Sequence, residues 1–329
     1  MKSLAIIGAG IAGITLARQL QGSAKVSVFE KSRGFGGRMA TRRIDAYQFD
    51  HGAQFFTARS KQFQSLINDC MAENQIQAWL PRILTLDPEK KPFKREWFEP
   101  HYVATPGMNS LCAALALELN VTLDTQVAGI EALAQGWLLK DSAGQELGHF
   151  DWVISTSPAP QTDELLPDCF AHKSELSMVD FSPCFSLMLG FESAPNLNFD
   201  AAVVRNSPLS WIASNSSKQG RSPTFSLMIH SDNRWARTQL ENDIDDVRHA
   251  MQEALEILLG DSLPQPDHVA IHRWKYAKVE ASCEEVFLLD ASNQLAACGD
   301  WCGGNRVEHA YLSGLKLGEH LQTLWRGRA

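Results

Sequence analysis

Three glycines near the start of the chain stand at the spacing that holds the pyrophosphate of a dinucleotide: Gly8, Gly10 and Gly13. Gly8 permits the tight turn that ends a strand, and Gly10 lets the backbone approach a phosphate. Gly13 lets the following helix pack closely on the sheet. Glu30 lies twenty residues beyond Gly10, where a carboxylate accepts hydrogen bonds from both ribose hydroxyls and would repel a 2′-phosphate. These four residues predict a dinucleotide site.

The elements around these residues are those that the motif requires. Residues 4–7 predict a strand, residues 14–20 predict a helix, and residues 25–29 predict a second strand. The helix start, which includes Ile11 and Ala12, offers free N–H groups and partial positive charge to the phosphates. A secretory signal is the competing interpretation because a lysine precedes the apolar run, but the glycine-rich turn interrupts that run. The complete strand, turn, helix, strand and carboxylate argue against a chance match.

The composition is that of a globular protein with a sizeable core. The chain has 329 residues, enough for one large or two medium domains, and 44% of them are hydrophobic. No run approaches the ~20 apolar residues of a membrane helix, so a membrane is not an expected partner. The net charge is -8 and no block of Lys and Arg stands out, so nucleic acid is not an expected partner either. Clustered basic residues would instead mark an anion-binding cleft.

The seven cysteines are an odd number in a long chain, so we expect no disulfide framework and a reducing, cytoplasmic location. No Cys-x-x-Cys pair occurs, which disfavours a dithiol flavin reductase. Cys298 and Cys302 could be redox-active, but packing as small buried residues is the simpler expectation. No spacing of Cys and His suggests zinc, so no metal site is predicted.

Two further segments carry residues suited to a cofactor. Gly36, Gly37 and Arg38 form a second glycine-rich turn, which could place a guanidinium beside a phosphate or a ribose. Near the other end, a short strand runs into Gly299 and Asp300, and a final helix follows. The apolar side of that helix is predicted to carry Leu312, Leu315 and Leu324. Because dinucleotide-type elements occupy both ends and a β-rich section lies between them, we predict two interleaved lobes.

Together these segments resemble the FAD-binding lobe of the flavin amine oxidase superfamily. Further segments resemble its renalase branch: GRMATR (37–42), DHGAQFF (50–56), YVATPGM (102–108), LMIH (227–230) and RWKY (273–276). The resemblance covers nearly the whole chain. It implies an α/β fold in which a Rossmann-like FAD-binding lobe is interleaved with an α+β substrate lobe that carries a mixed or antiparallel sheet.

The resemblance implies a discontinuous FAD-binding domain, made of residues 1–60, 100–160 and 290–329. Residues 61–99 and 161–289 would form the substrate-binding domain. In such folds the Gly-Asp carboxylate binds the ribitol chain, and the last helix directs its N-terminus at the flavin. The implied FAD contacts are Gly8, Gly10, Ile11, Ala12, Gly13, Glu30, Lys31, Gly37, Arg38, His51, Gly52, Ala53, Gln54, Val127, Thr156, Gly299, Asp300, Val307, Glu308 and Ala310. We expect the FAD to be noncovalent, because Cys302 precedes a glycine pair that a covalent-type cysteine follows in related oxidases.

The renalase resemblance also implies a reaction. Renalases are FAD oxidases of the 2- and 6-dihydro isomers of NAD(P); they produce NAD(P)+ and pass the electrons to molecular oxygen, which gives hydrogen peroxide. Hydride transfer driven by rearomatisation needs little acid–base help, so the protein chiefly positions one ring over another. The expected partners are therefore a small-molecule pyridine nucleotide and oxygen, while the oligomeric state and the choice between NAD and NADP forms stay open.

Four residues are candidates for the catalytic side of the site: His230, Trp274, Lys275 and Gln54. His230 could bond a carboxamide or a phosphate, or be a satisfied core histidine. Arg273, Trp274 and Lys275 follow one another in a predicted strand, so one face presents either the tryptophan or the two cations. Lys275 could contact flavin N5 through water or be a solvated cation. Gln54 is expected to border the flavin ring.

Two other functions remain open. An amine oxidase would use the same cofactor lobe but would need an aromatic cage around the amine, and tyrosines are few. They are Tyr47, Tyr102, Tyr276 and Tyr311. A flavin-binding protein without turnover is the second alternative, disfavoured only by the size of the other lobe.

Overall fold

The computed structural model describes residues 1–260 and 263–327. Its helices are α1 (Ile11–Leu20), α2 (Lys61–Ala72), α3 (Ser110–Leu115), α4 (Ala159–Leu165), α5 (Lys173–Ser177), α6 (Asn233–Thr238), α7 (Ile244–Leu259) and α8 (Val307–Arg326). Its strands are β1 (Lys2–Ile7), β2 (Ala24–Phe29), β3 (Arg42–Ile44), β4 (Tyr47–Phe49), β5 (Ile76–Trp79), β6 (Ile83–Asp87), β7 (Lys90–Lys94), β8 (His101–Ala104), β9 (Val121–Thr122), β10 (Val127–Ala132), β11 (Trp137–Asp141), β12 (Glu146–Phe150), β13 (Trp152–Ser155), β14 (Asp180–Phe191), β15 (Ala201–Val204), β16 (Leu209–Ser214), β17 (Phe225–Ser231), β18 (His268–Ala281), β19 (Leu288–Asp290) and β20 (Leu295–Ala297). In these described ranges, no helix combines the length and the apolar run that crossing a bilayer requires.

A six-stranded sheet has the order β19-β20-β13-β1-β2-β9. Its neighbouring strands are parallel except for β19 and β20. β1 lies inside the sheet because its apolar residues are buried on both faces: Leu4 and Ile6 join one core cluster, while Ala5 and Ile7 join another. The sheet therefore collects strands from the beginning, middle and end of the chain, and the predicted interleaved α/β fold is confirmed.

A seven-stranded sheet has the order β18-β14-β17-β16-β15-β6-β7, with β15 and β6 as its parallel pair. The predicted mixed sheet is thus confirmed, and α7 covers it through Met251 and Leu255. Every strand of this sheet falls within residues 61–99 or 161–289. The six-stranded sheet lies in the remaining ranges apart from the first two residues of β19. The domain limits themselves stay a prediction.

Helix α8 packs on α1 through small residues. A Cβ at Gly314 would come within 2.2 Å of the Ala12 carbonyl oxygen, and one at Gly318 would come within 2.5 Å of the Gln19 side chain. The buried residues of α8 are Glu308, Ala310, Ser313, Gly314, Leu317, Gly318 and Leu321. The three leucines predicted on the apolar side, Leu312, Leu315 and Leu324, are all half-buried, and Leu324 packs at the edge of the core. The fully buried leucines of α8 are Leu317 and Leu321, and Gly314 and Gly318 allow its close approach to α1.

Candidate functional site

A cleft of about 1380 Å3 is lined by residues of both large sheets. The carboxyl ends of β1 and β2 and the first turn of α8 line one part of it, and β17 and β18 line another. Ligands of open α/β sheets bind at this carboxyl edge, which makes the cleft the candidate site.

The glycine-rich turn leaves open space beside the start of α1. Gly8 has a φ of +110°, and a Cβ at Gly13 would lie 2.1 Å from the Gly8 carbonyl oxygen. A Cβ at Gly10 would meet nothing nearer than 3.9 Å, and Gly10 is the N-cap of α1. Gly8, Gly10, Ile11 and Ala12 line the cleft, whereas Gly13 faces the turn. This arrangement fits a phosphate placed on the N-terminus of α1.

Glu30 is buried directly after β2, and both of its carboxylate oxygens are held by backbone groups. The Ala9 N–H donates to Oε2 and the Ser32 N–H donates to Oε1, each at 2.8 Å. Each oxygen keeps a further lone pair, so the oriented carboxylate can still accept ribose hydroxyls. Lys31 follows at the exposed rim of the cleft.

Arg38 and Asp300 meet from distant parts of the chain. The guanidinium donates two hydrogen bonds to the carboxylate, at 2.8 and 2.5 Å. Gly299 is held in place because its N–H donates to the Ser313 hydroxyl of α8 at 3.1 Å. Arg38, Asp300, Gly299 and the adjoining Gly37 line the cleft. The bidentate ion pair orients both charged groups beside the cleft, where they could bind a ribitol chain or a phosphate.

The first turn of α8 presents apolar side chains to the cleft. Val307 and Ala310 line it, but the Glu308 side chain does not. Glu308 turns toward α2, where its Oε1 accepts the N–H groups of Arg59 at 2.9 Å and Ser60 at 2.5 Å. Burial opposes ionisation, but these bonds and the neighbouring Arg306 keep the pKa of Glu308 below its ordinary value. The Glu308 side chain is therefore directed away from the cleft in which its contact with FAD was predicted.

Residues 50–54 form a turn at the wall of the cleft, with its middle residues facing the cleft and its ends facing away. His51 and Gly52 line the cleft, and Gly52 is needed because a Cβ there would lie 2.0 Å from the Arg38 carbonyl oxygen. Gln54 points away: its Nε2 donates to the Gly52 carbonyl at 3.2 Å, and its Oε1 accepts from Lys218 at 3.2 Å. The side chain of Gln54 therefore lies outside the cleft that it was expected to border. The other predicted contacts that line the cleft are Ala53, Val127 and Thr156.

A buried ion cluster behind this turn was missed by sequence reasoning. Asp50 Oδ2 accepts from Lys218 at 3.2 Å and from Arg221 at 2.7 Å, and none of the three side chains is exposed. Lys218 also donates to the Asn215 side chain at 3.0 Å. No local pattern could have revealed this cluster, because Asp50 and Lys218 are 168 positions apart.

Two cations thus share one buried carboxylate. Burial lowers the pKa of Lys218 to about 8; Asp50 opposes this shift and Arg221 adds to it. Burial would raise the pKa of Asp50, but Lys218 and Arg221 hold it below its ordinary value. The cluster therefore keeps Asp50 charged and leaves Lys218 as the weaker partner.

Trp274 and His51 form the wall where the two sheets meet. Their rings stack with centroids 5.2 Å apart, and the indole Nε1 donates to the His51 carbonyl at 2.8 Å. Arg273 points to the other side, where its guanidinium donates to a backbone carbonyl just before α7 at 2.7 Å. Strand alternation therefore turns Trp274, and not Arg273, toward His51. Lys275 is exposed at the cleft with its Nζ 5.5 Å from the Tyr276 ring centre.

Three imidazoles gather at this end of the cleft: His51, His230 and His272. The His51 and His272 rings meet edge to face at 5.1 Å. Burial lowers the pKa of His51 and of His230 to about 4, and it also lowers the pKa of His272, so all three are neutral at pH 7. Among the described residues, His51 Nδ1 and His230 Nε2 find no hydrogen-bond partner. Buried polar atoms without partners are costly, but both of these atoms are enclosed, so a ligand group in the cleft would reach them only if the rings turned.

Basic residues dominate the charged lining of the cleft. Apart from Arg273, whose guanidinium points away, eight Lys and Arg residues but only three Asp and Glu residues line it, although the whole chain carries a net charge of -8. The eight cations are Lys31, Arg33, Arg38, Arg42, Arg43, Lys275, Lys278 and Arg306. This distribution favours a ligand with several negative charges.

Comparison with known proteins identifies the family. Residues 6–70 match an NAD(P)-binding Rossmann-like domain, and residues 93–317 match flavin-containing amine oxidoreductases. The chain belongs to the flavin-containing amine oxidoreductase family. It is 24% identical to the renalase of Mus musculus over 343 residues, an alignment that covers 95% of each chain.

Two solved structures have the same fold. A candidate protoporphyrinogen oxidase from Exiguobacterium sp. superposes with a TM-score of 0.79 at 15% identity, over 98% of this chain and 99% of the other. Putrescine oxidase bound to putrescine superposes with a TM-score of 0.72 at 12% identity, over 98% and 99%. The family match identifies the protein as an FAD-dependent oxidoreductase.

The residues of the cleft fit FAD. The space beside Gly10 accommodates a pyrophosphate, Glu30 is oriented for a ribose, and Asp300 with Arg38 is placed for the ribitol end. Val307 at the start of α8 and the stacked Trp274 and His51 leave a mostly uncharged region for a flat ring. When bound, FAD supplies a two-electron acceptor; the protein orients it and its partner.

Proposed function

We propose that this flavoprotein oxidises the 2- and 6-dihydro isomers of NAD(P), with NAD(P)+ and hydrogen peroxide as products and oxygen as the electron acceptor. The observation that supports this most is the neutral end of the cleft, formed by His51, His230 and His272 beside Trp274. A dihydropyridine that gives up a hydride becomes aromatic without losing an N–H or O–H proton. It therefore needs a flat surface and neutral hydrogen-bonding groups more than a general base.

The unpartnered nitrogens of this region would suit a carboxamide once the rings turn toward the cleft. A carboxamide presents one acceptor and two donors, and a neutral imidazole can offer either role according to its tautomer. His51 Nδ1 and His230 Nε2 are the two atoms in question. We therefore keep His230 and Trp274 as substrate contacts and leave Gln54 out of this group.

The basic lining supports a dinucleotide over a small uncharged substrate. FAD brings one pyrophosphate, and a pyridine dinucleotide would bring a second into the same cleft. Arg42, Arg43 and Lys275 line the cleft without an ion-pair partner among the described residues, which leaves them available to phosphates. We assign Lys275 to this group, as an alternative to a water-mediated contact with the flavin.

Oxidation of an amine remains the competing function because of the family. An aromatic cage around an amine would be expected, yet Tyr276 is the one tyrosine of four among the residues lining the cleft. Neutral imidazoles and a basic rim also offer little to a cationic amine.

Anaerobic mixing separates these functions. The purified yellow protein is mixed with 2- or 6-dihydroNAD(P), with ordinary NADH and with amines including putrescine, and the visible absorbance of the flavin is followed. We expect rapid bleaching by the isomers alone, and one hydrogen peroxide per substrate when air is admitted. Bleaching by an amine would support the amine oxidase, and no bleaching by any reductant would support a flavin-binding protein without turnover.

We also propose that FAD is held noncovalently and that the protein works in the cytoplasm. All seven cysteines are free, which suits a reducing compartment. Flavin that stayed attached to the denatured protein in mass spectrometry would contradict the noncovalent assignment.

A further inference from the structure

A pair of cysteines lies directly behind the loop that carries Asp300. Cys283 and Cys302 are partners in a parallel β-bridge. The Cys283 N–H donates to the Trp301 carbonyl and the Gly303 N–H donates to the Cys283 carbonyl, each at 3.0 Å. Strands paired in this way lie about 4.8 Å apart. That separation falls within the ~4.4–6.8 Å between Cα atoms that a disulfide spans.

The two thiols contact each other but are unequal. A hydrogen bond with Cys302, helped by backbone donors, lowers the pKa of the Cys283 thiol, whereas burial raises the pKa of the Cys302 thiol. Both residues are buried, but Ser282 and Glu284 on either side of Cys283 are exposed. A small opening of that segment would therefore admit a small oxidant to Cys283 first.

We propose that Cys283 and Cys302 form a disulfide when the protein meets hydrogen peroxide, so that this pair is a site of oxidative modification. Only the source of the peroxide rests on the proposed function, since peroxide is the product of that reaction.

The disulfide would form in two steps. The Cys283 thiolate attacks one peroxide oxygen, the O–O bond breaks, and the departing hydroxide takes up a proton to become water. The sulfur of Cys302 then bonds the sulfur of the Cys283 sulfenic acid; the hydroxyl leaves with the Cys302 proton as a second water. Two thiols are oxidised and one peroxide is reduced to two waters.

The bond would tie the loop of Gly299 and Asp300 to the segment before β19. The Cys302 N–H already donates to the Gly299 carbonyl at 3.2 Å, so a cross-link at Cys302 is transmitted directly to the residues that face the ribitol end of the cofactor.

Peptide mapping tests this proposal on the FAD-bound protein. A Cys169→Ser background removes the exposed cysteine. The protein is treated with added hydrogen peroxide in the absence of substrate, its remaining thiols are alkylated, and it is digested without reductant. We expect a peptide that links Cys283 to Cys302 and a loss of two alkylated sites, both reversed by dithiothreitol. A link between Cys298 and Cys302, or no change in alkylation, would overturn the proposal.

Single variants test the order of the two steps. In Cys302→Ser, Cys283 should remain a sulfenic acid that dimedone labels, whereas Cys302 should stay unlabelled in Cys283→Ser. Cys70→Ser removes another buried cysteine, which belongs to a different core cluster, and should leave the disulfide intact. Labelling of Cys302 in Cys283→Ser would contradict the assignment of Cys283 as the attacking thiol. Because peroxide is added, a wrong substrate assignment would not alter any of these results.

Discussion

Single residues divide the cleft into a charged part and a neutral part. Arg38 and Asp300 are locked by two hydrogen bonds, and Glu30 is oriented by two backbone N–H groups. At the other end, burial holds His51 and His230 neutral. The charged part suits phosphates and ribitol, while the neutral part suits rings that exchange a hydride.

The first prediction concerns the ion pair. Asp300→Asn keeps the shape of the side chain but removes the charge that orients Arg38. Because a hydrogen bond to a charged group contributes about 1.5–3 kcal/mol, we expect FAD to bind roughly ten- to hundredfold more weakly. Titration of the apoprotein with FAD, followed by flavin fluorescence, measures this. Glu146→Gln, an exposed carboxylate on β12, is the matched control and should bind FAD like the parent.

The second prediction concerns acid stability. Burial lowers the pKa of His101 to about 4, against about 6.5 when unfolded, so between these values the unfolded chain binds a proton that the folded protein does not. Stability is therefore lost as the pH falls from about 6.5 toward 4, by on the order of 3 kcal/mol for this group. His101→Phe should make the loss shallower, as measured by urea unfolding at several pH values.

His101 lies outside the cleft, and its ring centre is 4.1 Å from that of Phe55 and 4.6 Å from that of Trp97. Activity at neutral pH should therefore be unchanged in His101→Phe. The exposed His249 provides the control, since His249→Asn removes a histidine without changing this buried aromatic cluster. An identical acid slope in parent and His101→Phe would show that His101 is not a source of acid sensitivity.

The sequence reveals those parts of the site that are local in the chain. The glycines and Glu30 share one βαβ unit whose spacing fixes their geometry, so they were recognisable. Lys218 and Arg221 were not, because only the folded chain brings them to Asp50. Glu308 shows a related limit: its position at the start of α8 is local, but the direction of its side chain depends on Arg59 and Ser60 of a distant turn.

Among the elements, α8 shows most clearly how packing limits what periodicity can predict. Leucine spacing identified the helix but named three half-buried leucines and not the fully buried Leu317 and Leu321, and the closest contact with α1 depends on missing side chains at Gly314 and Gly318. The orientation of β18 was likewise open in the sequence, since alternation allowed either face. The contact of Trp274 with the His51 carbonyl is a tertiary contact that no strand pattern contains.

The third prediction concerns this helix contact. In Gly314→Ala the new Cβ would meet the backbone of Ala12, which cannot move without shifting the start of α1. We expect a loss of about 1–3 kcal/mol in the free energy of unfolding and weaker FAD retention, because Ala12 lines the cleft. Urea unfolding and FAD titration measure the two effects. Lys316→Ala, on the exposed side of α8, should change neither.

Across the whole molecule, the buried ion cluster joins three parts of the chain. Asp50 belongs to the turn at the wall of the cleft, Arg221 also donates to the Ala104 carbonyl at 2.5 Å, and Lys218 holds the Asn215 side chain. The cluster has one more positive than negative charge, so its members do not contribute equally to stability.

The fourth prediction follows from that imbalance. Lys218→Met leaves Asp50 paired with Arg221 and should cost about 1 kcal/mol or less, whereas Arg221→Met should cost about 3–5 kcal/mol. The pKa of Lys218 is about 8 in the folded protein and about 10.5 unfolded, so its burial penalty is relieved as the pH rises between those values. The parent should gain stability relative to Lys218→Met over that interval. Chemical unfolding from pH 7.5 to 10 measures both effects, and equal costs for the two variants would contradict the unequal roles.

The strand order carries a consequence for biosynthesis. A ribosome makes β1 and the glycine turn long before the far side of this sheet: β1 can pair with β13 once residues 152–155 have been made, but β20 joins β13 only after residues 295–297 have been made. Asp300 and α8 arrive later still. During most of its translation the nascent chain therefore contains only the N-terminal part of the FAD site. We expect FAD to bind late, and we expect chains that lack the C-terminal part not to bind it.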